Sequence, residues 1–178
     1  QHVGFEAFAA LIDRLDQCTA TGRKVLLIAD HLRTVSAHDA AWCVLLLMGE
    51  RRKRLITGRR LREILQKASA MPDWLFDDCQ SHVGDSAETL SLLWPQVQHD
   101  IPSISMDASL SPWITRLSDT PPMHWWMETL LPTLAAMEPE NQSQAVLAIW
   151  QAIPTERLFL FNKMLTGGFP HHARLSAR

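Results

Sequence analysis

The chain has 178 residues, of which 47% are hydrophobic and 20% charged, with a formal net charge of −2. That suffices for one large domain or two small ones around a proper core, and it excludes a disordered chain. No apolar run reaches the ~20 residues of a membrane-spanning helix, and no signal-peptide pattern opens the sequence. The expected location is the cytoplasm. Cys18, Cys43 and Cys79 are odd in number and lack metal-ligand spacing, which predicts free buried thiols. The chain begins at Gln1 rather than Met, so it is expected to be a fragment or a processed form.

Almost every segment has helical period and none alternates as a strand, so the expected fold class is all-α, a multi-helix bundle of roughly ten helices. Phe5, Phe8, Ile12 and Leu15 share one face of a first helix. Thr21 is the expected cap of a second, with Val25, Ile28, Leu32 and Val35 inward. Ser36 caps a third that runs through Trp42, Leu45 and Leu46 to a left-handed stop at Gly49. After a basic loop, Thr57 caps a fourth with Leu61, Ile64, Leu65 and Ala68 on one side and Arg59, Arg62 and Lys67 on the other. Pro72 suits the first turn of a fifth helix carrying Trp74, Leu75 and Phe76. Gly84 and Asp85 punctuate, and a sixth helix with Ala87, Leu90 and Trp94 inward is predicted to stop at Pro95.

Residues 95 to 112 read as irregular, with Pro102, Pro112 and scattered Ser. Helices resume around Trp113 and at Pro121-Pro122, the latter lined by Trp126, Leu130, Leu134 and Met137 and kinked at Pro132. Pro139 to Ile153 brings Val146, Ile149 and Trp150 inward, and Pro154-Thr155 opens a last helix with Leu158, Phe161 and Leu165, ending at Gly167-Gly168. The whole of 1–178 reads as a single helical domain. Seven tryptophans at helical spacing are packing groups before they are a base-stacking platform.

The charge is unevenly spread. Residues 51 to 67 hold eight of the seventeen Lys and Arg and one acid, Glu63, so the segment stands at +7 and the remainder at −9. Uneven charge, rather than its sum, steers a polyanion. Within Arg51–Arg62 lie guanidinium groups, a Thr hydroxyl and a helix N-terminus, the three kinds of group that bind phosphate. A solvated basic helix end is the plainer reading, but such runs mix signs and this one scarcely does. A second stretch from Met164 to Ser176 repeats the order helix, glycine cap, basic-polar loop.

Catalytic signatures are missing. There is no phosphate-binding Gly-x-x-x-x-Gly-Lys-Ser/Thr loop, no Gly-x-Gly-x-x-Gly turn and no Gly-x-Ser-x-Gly elbow. His171-His172 read as a solvated pair, and Asp77-Asp78 and Asp85/Glu88 as surface and helix-terminal carboxylates.

The ending Leu165-Thr166-Gly167-Gly168-Phe169, with Ser176-Ala177-Arg178, resembles the Leu-Thr-Gly-Gly-Phe/Leu … Ser-x-Arg signature that closes the N-terminal DNA-binding domain of ATP-dependent DNA ligases. The opening Phe8–Leu15, the stretch Lys24–Arg33 and above all Val83-Gly84-Asp85-Ser86-Ala87-Glu88-Thr89 are similar to the bacterial members. The resemblance implies an all-helical domain on the minor-groove side of nicked duplex DNA, contacting the sugar–phosphate backbone. It implies an adenylation module and an OB-fold as partner modules, with ATP and Mg2+ as their cofactors and none for this chain. It also implies roles in DNA replication, repair and recombination. Carried onto this sequence, Arg51, Arg52, Lys53, Arg54, Thr57, Arg59, Arg60 and Arg62 would meet DNA from the first loop and helix. Thr166, Gly167, Gly168, Arg174 and Ser176 would meet it from the second. Pro170, His171 and His172 lengthen that second loop relative to the family pattern. None of Lys24, Lys53, Lys67 and Lys163 begins a Lys-x-Asp-Gly motif, so the chain by itself is expected not to form the family's lysyl-AMP. With about six phosphates neutralised, log K against log salt would have a slope near −5. The rival expectation is a helical protein-interaction module that docks an acidic partner.

Overall fold

Phe5, Phe8, Ile12 and Leu15 recur at intervals of three and four, and all four are buried along α1 (Gly4–Asp16). The same amphipathic logic builds the rest of the chain in this computed structural model, which describes residues 4–49, 52–104 and 111–168. In order follow α2 (Thr21–Thr34), α3 (Ala37–Leu47), α4 (Gly58–Ser69), α5 (Asp73–Val83) and α6 (Ser86–Val97). Then come α7 (Ser111–Ser118), α8 (Met123–Trp125), a π-helical turn (Trp126–Leu130), α9 (Leu131–Ala136) and α10 (Pro139–Ala152). A 3₁₀ turn (Thr155–Arg157) leads into α11 (Leu158–Thr166), and no strand occurs among the described residues. The fold is all-α, as the hydrophobic period implies.

Helix α6 sits between α4, α5 and α11, while α1, α2, α3 and α8 pack on one another and α10 joins α4, α7 and α9. Trp94 of α6 and Trp150 of α10 meet edge to face with centroids 5.5 Å apart, and both are buried. The Trp150 indole donates to Asn162 Oδ1 at 2.8 Å, so the buried N–H has its partner. Arg157 closes the ends of the fold together by donating to both Glu6 carboxylate oxygens and, at 2.7 Å, to Asp13.

Several local expectations fail for identifiable reasons. Trp74 is 68% exposed, because consecutive residues on a helix are splayed apart and only Phe76 of the trio is buried. Val25 is 53% exposed, since α2 packs chiefly on α1 and α3 and buries only Leu27 and Ile28. Ala20, not Thr21, occupies the N-cap position of α2. Pro95 does not stop α6, because the amide of Gln98 still reaches the Trp94 carbonyl at 2.9 Å and the helix runs to Val97. Before Pro132 the backbone takes the π turn, the wider winding that accommodates a residue unable to donate. Of the three free thiols only Cys43 is fully buried, and burial pushes it up to about 12, so it is an inert packing group. Within the irregular stretch, the Ile104 amide and the Pro102 carbonyl are both held by the Gln151 amide side chain, at 3.1 Å each.

Candidate nucleic-acid interface

The first basic loop packs on the end of α11, more than a hundred residues away in sequence. Gly49 has φ 68° and ends the turn after α3, and the chain then passes over the C-terminus of α11. There the amides of Leu55 and Ile56 both donate to the Leu165 carbonyl, at 3.0 and 3.1 Å. Helix α11 closes on Gly167 at φ 73°, in the left-handed region that favours glycine. A Cβ at Gly167 would lie 2.7 Å from the Arg52 carbonyl oxygen and 3.3 Å from the Arg54 amide nitrogen. Glycine is therefore required twice over, by conformation and by close approach.

Beside this junction α4 and α6 begin side by side, since a Cβ on Gly58 would come within 2.8 Å of Ser86 Cβ. Thr57 caps α4 by accepting from the Arg60 amide at 3.1 Å, and Asp85 caps α6 by accepting from the Glu88 amide at 2.9 Å. Between the two helix starts and the end of α11 lies an open cleft of about 510 Å³. Arg52, Arg54, Lys163, Gly167 and Gly168 line one part of it, and Gly58, Gly84, Asp85 and Ser86 the other.

The two helix ends are not equivalent. The amides at the start of α6 face the Asp85 carboxylate, which Lys163 of α11 also grips. That end already holds an anion. The α4 end has only the neutral Thr57 hydroxyl, no acid in its first turn, and Arg59 projecting beside it at 89% exposure. Its partial positive charge is thus open to an external anion.

The expected contact residues divide accordingly. Lys53 and Arg54 are exposed and make no ion pair among the described residues, and Arg52 and Arg54 line the cleft. Arg59 has only a long 3.5 Å contact to Glu63. Arg60 and Arg62 are turned inward instead. Arg60 donates to Gln142 at 3.0 Å, the Pro139 carbonyl at 2.7 Å and Ser143 at 2.8 Å, which ties α4 to α10. Arg62 lies over the Phe76 ring and donates to Asp77 at 2.5 Å, which ties α4 to α5. Thr57 acts through its cap, and the Thr166 hydroxyl donates to the Asn162 carbonyl of its own helix at 3.1 Å. Arg51, Arg174 and Ser176 lie outside the described residues, as do Pro170, His171 and His172.

Sequence reasoning passed over Lys163, which faces the cleft from α11, and the Gly84–Ser86 corner opposite. The signal was present. Asp85 and Glu88 have the spacing of a capping box, and the segment around them is the most specific part of the family resemblance.

The family model described as DNA ligase N terminus matches residues 4–171, nearly the whole chain. The chain belongs to this DNA ligase N-terminal family. No curated protein and no solved structure gives a match. In this DNA ligase N-terminal domain no described helix is long and apolar enough to cross a membrane. No group of three or more His, Cys, Asp or Glu among the described residues could hold a metal ion.

The ligase domain's cleft should loosen in acid at its Asp85 end. Burial pushes the Asp85 carboxyl up, but the Lys163 hydrogen bond and charge and the Glu88 and Ala87 amides pull it further down, below the usual carboxylate range. A carboxyl depressed in the folded state contributes stability above its unfolded value of about 3.9 and loses it as pH falls through the folded one. The melting-temperature gap between the wild type and Asp85→Asn is therefore expected to be present near neutrality. It should close as the pH is lowered from about 5 to about 2. A gap that stays constant in thermal melts across that range would contradict the assignment.

Proposed function

We propose that this domain holds the sugar–phosphate backbone of duplex DNA at a strand break, positioning it for the catalytic modules of an ATP-dependent DNA ligase. The observation that carries the reading is the stitching of the Arg52–Ile56 loop onto Leu165 and Gly167. It gathers cations with no carboxylate partner among the described residues beside a helix N-terminus whose positive end is open. Phosphate contacts of this kind fix the position of a duplex without reading its bases. Affinity comes from displaced counterions and is therefore steeply salt-dependent.

Adenylation chemistry, with ATP and Mg2+, is assigned in this reading to a separate module that carries the nucleophilic lysine. The residues described here supply backbone grip alone, and the domain itself transfers no group.

Fluorescence anisotropy with a labelled nicked duplex tests the proposal. The domain is expected to bind and to be displaced by unlabelled nonspecific duplex DNA but not by an acidic polypeptide at equal charge. Displacement by the polypeptide alone would favour a protein-docking module. Arg62→Gln is expected to leave DNA affinity within about twofold, because its guanidinium is committed to Asp77, while stability falls by about 1 kcal/mol from the lost Phe76 stacking and the largely exposed Asp77 pair. Loss of binding by folded Arg62→Gln would show that α4 presents this side chain to DNA after all.

A further inference from the structure

Arg52 differs from its neighbours in the basic loop. Lys53 and Arg54 stand in solvent, whereas the Arg52 guanidinium carbon lies 4.5 Å from the centroid of the Trp42 ring. Its Nη1 is buried and has no hydrogen-bond partner among the described residues, an uncommon state for a charged donor. Burial also lowers the pKa of the group. The remaining guanidinium donors are the ones an anion can meet.

The ring beneath it is itself fixed. Trp42 projects from α3, and its indole Nε1–H donates to Glu128 Oε1 at 2.6 Å. His38, one turn earlier on α3, meets the same oxygen through Nε2 at 2.5 Å. Glu128 belongs to the π turn, the one wide winding among the described helices. These contacts hold the Glu128 carboxyl below its usual range, chiefly the Trp42 N–H and then His38. A carboxylate thus anchors an indole, and the indole carries an arginine that lines the cleft.

We infer that Trp42, anchored by Glu128, is a positioning residue that presents the Arg52 guanidinium to a backbone phosphate of the bound duplex. The inference rests on the proposed DNA-binding function. Stacking on the ring face leaves the in-plane N–H donors free for phosphate oxygens. It also removes rotamer freedom from a long side chain before the ligand arrives, so less is lost on binding. His38 shares the anchor and keeps the carboxylate from turning away.

A double-mutant cycle on the full chain with a nicked duplex tests this. Trp42→Leu is expected to weaken binding about fivefold in the wild-type background and to have no further effect when Arg52 is already Ala. Glu128→Gln should give a smaller loss, about twofold to threefold, that also vanishes in the Arg52→Ala background. Trp42→Phe keeps a ring but loses the Glu128 hydrogen bond, so its loss should match that of Glu128→Gln and fall short of that of Trp42→Leu. Melts by circular dichroism establish that each variant is folded, and Glu128→Gln carries the cycle should Trp42→Leu fail to fold. Equal losses in both backgrounds would mean that Trp42 supports only the fold, and would overturn the inference alone. No loss in the wild-type background would overturn it as well. A wild-type chain that does not bind duplex DNA would remove the function on which it rests.

Discussion

Replacing Arg52 and Arg54 together with Glu is expected to weaken binding to a nicked duplex by at least about a hundredfold at moderate salt, with helical content unchanged. Both residues line the cleft and neither is paired to a carboxylate among the described residues. Neutralising one phosphate contributes about 0.9 to the salt slope, and reversing two charges adds repulsion to the loss of two contacts. The folding consequence is small by comparison. Arg54 is exposed, and Arg52 gives up a stacking contact with Trp42 worth about 0.5–1 kcal/mol. Anisotropy titrations read the affinity, and far-ultraviolet circular dichroism reads the fold. A variant that melts normally and binds within a few fold of wild type would show that the phosphate path avoids this cleft.

Gly167→Ala should have the largest effect on stability of any single methyl added to this surface. The left-handed φ of 73° disfavours a Cβ by about 1 kcal/mol. Overpacking adds about 1–3 kcal/mol, because the atom 2.7 Å away is the Arg52 backbone carbonyl and not a flexible side-chain tip. That carbonyl has little room to retreat, since Leu55 and Ile56 tie the same loop to Leu165. A total of about 2–4 kcal/mol corresponds to a fall in Tm of roughly 5–15 °C for a chain of this size. DNA affinity should fall as well, at temperatures where the variant is still folded, because relief of the clash displaces the loop that carries Arg52 and Arg54. Gly168→Ala is the matched control. Its added methyl meets only the end of the Lys163 side chain, at 3.3 Å, and it should lose less than about 1 kcal/mol. Equal Tm values for the two variants would contradict the account of the junction.

How much of this was legible in the chain depends on the range of the interaction. Short-range chemistry reads well. Ser36 and Thr57 accept from Asp39 and Arg60, and Gly84 and Gly167 take the positive φ expected of helix ends. Each outcome depends on a few adjacent residues and on backbone sterics. The all-α class follows for the same reason, because helical period repeats within every segment. Which side of a helix is covered does not follow, since it depends on what packs there. Val25 and Trp74 look like core residues and are exposed, as no described element covers them.

The candidate site shows the same division. Clustered charge marked residues 51 to 62 as a cationic surface, but nothing local told Arg60 and Arg62 from Arg54 and Arg59. Only the arrival of Pro139, Gln142 and Ser143 from α10, and of Asp77 from α5, commits the first two to the fold. Conversely, Lys163 stands in an apolar helix and carries no surface signature, yet it reaches the cleft because α11 ends there. The repeated order helix, glycine cap, basic loop was visible in the chain, but the contact of the first loop with the end of α11 was not. That contact is a matter of one carbonyl, Leu165, and one missing side chain, Gly167.

The most direct measurement is the salt dependence of binding to a nicked duplex. Among the candidate contact residues that are described, the cations Arg52, Lys53, Arg54 and Arg59 remain available. Log K is therefore expected to fall against log salt with a slope of about −4, shallower by about 2 in the Arg52/Arg54→Glu variant. A slope near zero, or one that this variant leaves unchanged, would contradict it.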